Sequence, residues 1–198
     1  MYVVVAAPRT ATAAPNASDR ALFALRARFD GDYPLAPELV DGALHALTPS
    51  ARAALETVLH LSRDRCWTVG LGLGSVRTPL PVGVHEVAGP GIVAAHDAAS
   101  AAARRASACA VRGVDDAAVE RLEPLLDLLL AHRARWSAHS WQLHDLLDAG
   151  ATQAAAAATL GITPQAVSKR ARAAGLRVDA EARTALAELL SEAGNRRA

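Results

Sequence analysis

Aromatic side chains make up only 4% of this sequence, and cysteine occurs only twice. A core with so few rings has to be aliphatic. Alanine supplies much of the apolar fraction of 52%, and alanine favours helix while burying little surface per residue. Cys66 and Cys109 form no paired spacing. They are expected as free, mostly buried thiols in a reducing compartment. No stretch approaches the run of about 20 apolar residues that a membrane span needs. The opening Tyr2-Val3-Val4-Val5 is short and has no basic leader. It predicts a buried strand rather than a signal peptide, and a cytoplasmic location. A length of 198 residues fits one large domain or two small ones.

Acidic residues are absent from one stretch. Between Ala151 and Val178 there is no Asp or Glu, while Lys169, Arg170, Arg172 and Arg177 are all present. The whole chain has a formal net charge of only +1, so the remainder is net acidic. A short, acid-free basic window is an electrostatic footprint for a polyanion.

The same window has the local grammar of two short helices joined by a tight turn. Ala157 is small where a second helix has to cross. Gly161, four residues later, suits a backbone with positive φ. Leu160 and Ile162 flank that turn and plug the corner. Thr163 is a helix cap and Pro164 suits a first helical position. Val167 packs back, Ala171 stands beside Arg170 where an apolar residue is common, and Gly175 ends the second helix. These residues resemble the repressor and Cro type of helix-turn-helix over about twenty positions. The resemblance implies a second helix lying in the major groove of double-stranded DNA. With Val167 inward, Gln165, Ala166, Ser168, Lys169 and Arg172 are the candidates for its outer face. Gln165 has the amide to read adenine, and Lys169 or Arg172 has the charge for guanine or phosphate. Thr152, Gln153 and Thr163 are candidates for positioning on the backbone, and Arg177 for a phosphate contact. Leu176 to Leu190 is expected as a closing helix.

The N-terminal half reads as alternating strands and helices. Tyr2 to Ala6 is a strand, and Asp19 to Phe29 a helix capped by Ser18. Asp30 to Pro34 is a break, Pro37 to Leu47 a helix, and Thr48-Pro49 the start of another. Cys66 to Val76 is a strand with Trp67, Val69, Leu71 and Leu73 on one side. Gly70, Gly72 and Gly74 on the other side predict a close approach by a packed helix or by a ligand. Val84 to Ala88 is a third strand, Ile92 to Arg105 a helix and Ala108 to Arg112 a fourth strand. After Asp115 the chain is helical, and Pro124 marks a kink or break in a leucine stripe. The fold class is therefore α+β: a ferredoxin-like N-terminal layer over residues 1–113, then an all-α helix-turn-helix domain over 114–198.

The run Gly70 to Val76, followed by Gly89-Pro90-Gly91 and an alanine-rich helix, resembles the SatD family. Such proteins look like reduced relatives of the class III nucleotide cyclase domain joined to a helix-turn-helix. The resemblance implies a DNA-binding regulator. Cyclase chemistry needs paired carboxylates for metal. Here the end of the first strand is Ala6-Ala7, the hairpin that carries the other acid looks deleted, and only Gly31-Asp32 echoes it. The N-terminal module is accordingly expected to be non-catalytic, without cofactor or metal, and to serve dimerisation or sensing of a small-molecule effector. His132, His139 and His144 share a face only approximately and no carboxylate completes a ligand set. The rival readings are a nucleotide-binding sensor or degenerate cyclase-like enzyme, and a protein-interaction adaptor. A homodimer is expected because one recognition helix alone gives limited specificity.

Overall fold

The computed structural model describes residues 1–9, 17–29, 31–113 and 116–195. Strand β1 (Tyr2–Pro8) is buried almost throughout, as its β-branched run requires, and lies at the middle of a five-stranded sheet. Helix α1 (Ala17–Arg28) leads to strands β2 (Leu35–Val40) and β3 (Ala43–Thr48), then helix α2 (Ala51–Ser62). Strand β4 (Trp67–Leu73), helix α3 (Pro90–Ala102) and strand β5 (Cys109–Gly113) complete the sheet in the order β2-β3-β1-β4-β5. All neighbours are antiparallel except β4 and β5. Helices α4 (Asp116–Arg133), α5 (Ala138–Asp148), α6 (Gln153–Leu160), α7 (Pro164–Ala173) and α8 (Leu176–Asn195) follow. The chain is thus mixed α and β, with eight helices among the described residues. None of them is long and apolar enough to cross a membrane.

The strand period of two sorts the core. Tyr2, Val4 and Ala6 enter the main cluster with α2, α4 and α8, while Val3 and Val5 face Ala95 of α3. Leu122, Leu126, Leu129 and Leu130 of α4 and Leu186 and Leu190 of α8 belong to that main cluster. The Tyr2 hydroxyl donates to the Leu190 carbonyl at 3.1 Å, tying the last helix to the first strand. A separate small cluster, with Leu143, Ala156, Ala157 and Val167 at its centre, holds α5, α6 and α7 together.

Five points differ from the sequence expectation. Residues 37–47, expected as a helix, form the β2–β3 hairpin. Asp41 (φ 49°) and Gly42 (φ 79°) both take positive φ in its two-residue turn, which matches the twist of the flanking strands. A β-hairpin therefore stands where the sequence suggested none, and the acidic residue in its turn is Asp41, not Asp32. The cap of α2 is Ser50, whose hydroxyl accepts from the Ala53 N–H at 3.1 Å. Thr48 instead ends β3 and donates to the Asp32 carbonyl at 2.7 Å. Val84 to Ala88, expected as a strand, holds a single 3₁₀ turn at Val84–Glu86. Ser18 lies inside α1 rather than before it. Pro124 sits within α4 without ending it. Asp30, the loop at 11–16 and residues 114–115 at the expected domain boundary lie outside the described residues.

The alternate glycines of β4 have a clear cause. A Cβ on Gly70 would fall well inside the radii of the Ala99 nitrogen and the Ala95 oxygen, and one on Gly72 would strike the backbone of Ala95 and Gly91. Helix α3 therefore lies directly on the strand, and its backbone fills the space a ligand would need. Gly72→Ala is expected to lower stability by about 3 kcal/mol, because backbone rather than a flexible side chain must move. Urea unfolding measures this, and an unchanged midpoint would contradict the packing described.

Candidate nucleic-acid interface

Each end of the α6–α7 hairpin is set by local chemistry. The Thr152 hydroxyl accepts from the Ala155 N–H and the Thr163 hydroxyl from the Ala166 N–H, each at 3.1 Å. Pro164 occupies the first turn of α7, where a missing N–H costs nothing. Gly161 closes α6 in the left-handed region at φ 64°, and the Ile162 N–H returns to the Ala157 carbonyl at 3.1 Å. Ala156, Ala157 and Val167 are buried where the two helices meet. Ala171 packs against the same cluster while its neighbour Arg170 is half-exposed. Gly175, at φ 65°, turns the chain into α8.

The outer side of α7 carries the chemistry. Gln165, Ser168, Lys169 and Arg172 are spaced three and four residues apart and so share one helical face. Gln165, Lys169 and Arg172 are exposed, and Ser168 is half-exposed. Lys169 is the only lysine in the chain. Ala166 is half-buried and spends its N–H on the Thr163 cap. Thr152 and Gln153 stand exposed at the N-terminus of α6, and Thr163 at that of α7. Both cap hydroxyls accept a bond and keep their own proton to donate. Arg177 is set apart from this group. It lies on α8 and pairs with Glu181 at 2.9 Å on an open surface.

What holds this hairpin to the sheet was not visible as a motif. Arg133, at the end of α4, reaches Asp179, at the start of α8, through Nε at 2.7 Å and Nη2 at 2.9 Å. Their side chains are 6% and 0% exposed. Arg133 also donates to His144 Nε2 at 3.2 Å. A guanidinium can only donate, so Nε2 is the acceptor and the proton is on Nδ1, facing Asp145 at 3.1 Å. Arg183 continues the network to Asp179, to Asp148 of α5 and to Glu56 of α2. Arg28 of α1 also pairs with Asp148, and Arg63, just past α2, holds Asp145 through Nη1 at 2.9 and 3.0 Å. The Trp136 indole donates to the Ala174 carbonyl at the end of α7, at 2.8 Å. Trp136 and Trp141 pack edge to face, 4.7 Å apart. The two tryptophans around Ser137–Ser140 were the only sequence signal for this junction.

Burial shifts several groups. It lowers His144 first of all, with Asp145 opposing and Arg133 adding to the effect. Burial opposes ionisation of Asp148, yet Arg183 and Arg28 outweigh it and hold that carboxyl below its ordinary value. Burial also pushes the Cys109 thiol up to about 12, which leaves it unreactive. Cys66 and Cys109 are both free. His132 packs edge to face on Trp136 and His139 is exposed. Among the described residues, no three His, Cys, Asp or Glu side chains gather as a metal site requires. Compared with known protein families, curated proteins and solved structures, the chain finds no match in any of the three.

Asp179→Ala is expected to cost about 3–5 kcal/mol, because it strands the buried Arg133 charge. Arg177→Ala removes an open surface pair and is expected to leave the urea midpoint unchanged. Stability also depends on pH. His45, His60 and His144 are all lowered, burial being the largest cause in each. The unfolded chain therefore binds more protons near their ordinary value of about 6.5, so stability is full above that pH and falls below it. His85 runs the other way, raised first by its hydrogen bond to Glu38, but it lies on the surface where screening keeps the effect small. Urea midpoints from pH 8 to 5 are expected to fall, and His144→Gln to flatten part of the slope. A midpoint that rises on acidification would refute the buried, neutral histidines.

Proposed function

We propose that this chain is a DNA-binding transcriptional regulator whose α7 enters the major groove. The observation that carries this reading is the outer face of α7. Lys169 and Arg172 are exposed there and make no ion pair among the described residues, in contrast to Arg133, Arg183 and Arg63 at the neighbouring junction. A protein surface that leaves cations unspent beside a glutamine and a serine suits a phosphate backbone with base edges behind it. Thr152, Gln153 and Thr163 are assigned to backbone positioning. Arg177 is assigned to phosphate only if DNA draws it away from Glu181.

The N-terminal unit is read as a ferredoxin-like layer, supported by the antiparallel order β2-β3-β1-β4 with each helix crossing over one strand. The β4-α3-β5 crossover adds a further parallel strand to it. The resemblance to the SatD family remains part of this proposal, and it adds a non-catalytic sensing or dimerisation role in a cytoplasmic homodimer. The hairpin tip with Asp41 lies at the same sheet end as Ala6 and Ala7, since Ala6 pairs with Leu44. One carboxylate opposite two alanines is a poor holder of paired metals.

Fluorescence anisotropy of the full chain on mixed duplex DNA, titrated over salt, tests the proposal. Affinity is expected to fall steeply with salt. Lys169→Ala and Arg172→Ala are each expected to weaken binding, and to reduce the salt slope by about one where the side chain meets phosphate. Absence of binding at low salt, or wild-type affinity in both variants, would sink the DNA reading and favour a protein-interaction adaptor.

A further inference from the structure

A cleft of about 570 Å³ opens where the sheet unit meets helices α4 and α5. It lies between the end of α2, the turn before β5, the C-terminal half of α4 and the start of α5. Its volume is in the range of sites for small organic molecules, about 300–1,000 Å³. The apolar part of its lining comes from Leu59, Leu130, Ala131, Ala134 and Trp141. The charged groups around it are four arginines and one carboxylate, Asp127.

The arginines have donors to spare. Arg63 spends only Nη1 on Asp145, so Nε and Nη2 are free of protein partners. Its guanidinium lies over the Trp141 ring at 4.4 Å from the centroid, which fixes its orientation. Arg105 is held by Glu123 and Asp127 through its two terminal nitrogens and leaves Nε. Arg65 is exposed and makes no ion pair among the described residues. Its backbone has φ 55°, a left-handed conformation a non-glycine residue adopts at a cost. The Ser62 hydroxyl, also in the cleft wall, is enclosed and makes no hydrogen bond. A buried hydroxyl without a partner loses free energy that a bound acceptor would restore.

We propose that this cleft is a binding site for a small organic anion. The ligand class is a flat or branched apolar body with one oxyanion head, carboxylate or phosphate. The body lies on Leu130, Ala131 and Trp141, and the head meets Arg63 and Arg65. The site is also placed to report on its occupancy. Arg63 and Trp141 both belong to the contact that seats α5, and α5 packs on α6 and α7. A ligand held by Arg63 therefore acts on the seat of the proposed reading helix. This second part rests on the DNA-binding reading, and the first does not.

The probe is 8-anilino-1-naphthalenesulfonate, an aromatic anion that fluoresces in apolar sites, titrated into the full chain with quenching of tryptophan as a second signal. One saturable site is expected. Arg65→Ala, which removes a solvated and unpaired side chain, is expected to weaken it about tenfold, the loss of one charge-assisted bond. Ala131→Trp, on the exposed side of α4, is expected to fill the cleft and abolish binding while the circular dichroism stays native. Displacement by benzoate marks a carboxylate site, and displacement by phenyl phosphate a phosphate site. No saturable binding, or equal binding by both variants, would overturn the proposal. Repeating the DNA titration with the probe at saturation tests the coupling, which predicts a changed affinity and is refuted by an unchanged one. If the chain binds no DNA at all, the probe titration still decides the site.

Discussion

The Arg133 guanidinium and the Asp179 carboxylate are shut away from water together, one at the end of α4 and the other at the start of α8. Neither charge is tolerable there without the other. Their pairing therefore ties the start of α8 to the end of α4. The position of Asp179 in the first turn of α8 adds a favourable helix-dipole term. His144 of α5 and Arg183 of α8 complete the shell around the pair.

From that pair the ionic network runs outward to α1 and α2. Arg183 joins Glu56 and Asp148, and Arg63 joins Asp145. These links are specific in direction, whereas the leucine contacts between α4, α8 and α2 are not. Hydrophobic burial supplies most of the attraction between the two parts of the molecule. The ionic contacts select one arrangement among the many that would bury a similar area. Arg63 and Arg133 of this network also line the cleft between those parts, so the joint is polar at its rim and apolar within.

On the other side of the sheet, shape rather than charge decides. Gly70 and Gly72, with Gly74 just past the strand, leave one side of β4 without side chains beyond Thr68, and α3 comes down until backbone meets backbone. The small residues Gly91, Ala95 and Ala99 on the facing side of α3 make this approach possible, while Ala98 and Ala102 pack with Ala110 of β5. A composition so rich in alanine is thus put to use as a thin layer, and the scarcity of aromatic residues leaves no bulky side chain to hold the helix away.

How much of this was legible beforehand depended on the range of the interaction concerned. The α6–α7 hairpin was readable from residues alone, because caps, a left-handed glycine and a helical face are all decided within a few positions of the chain. Thr152, Gly161, Thr163, Pro164 and Val167 act on near neighbours. The β2–β3 hairpin was missed although Asp41-Gly42 is a turn signal. Ala43, Leu44, Ala46 and Leu47 have strong helical propensity, and pairing with β1 overrides it. The glycine stripe announced a close approach but did not name what approached. Arg133 and Asp179 lie 46 positions apart, and nothing in either neighbourhood points to the other. Local backbone preferences were the sequence's own to determine. The joint, the cleft and the availability of Lys169 and Arg172 were decided only by the tertiary structure, since burial and partnership depend on atoms that the chain brings together from distant positions.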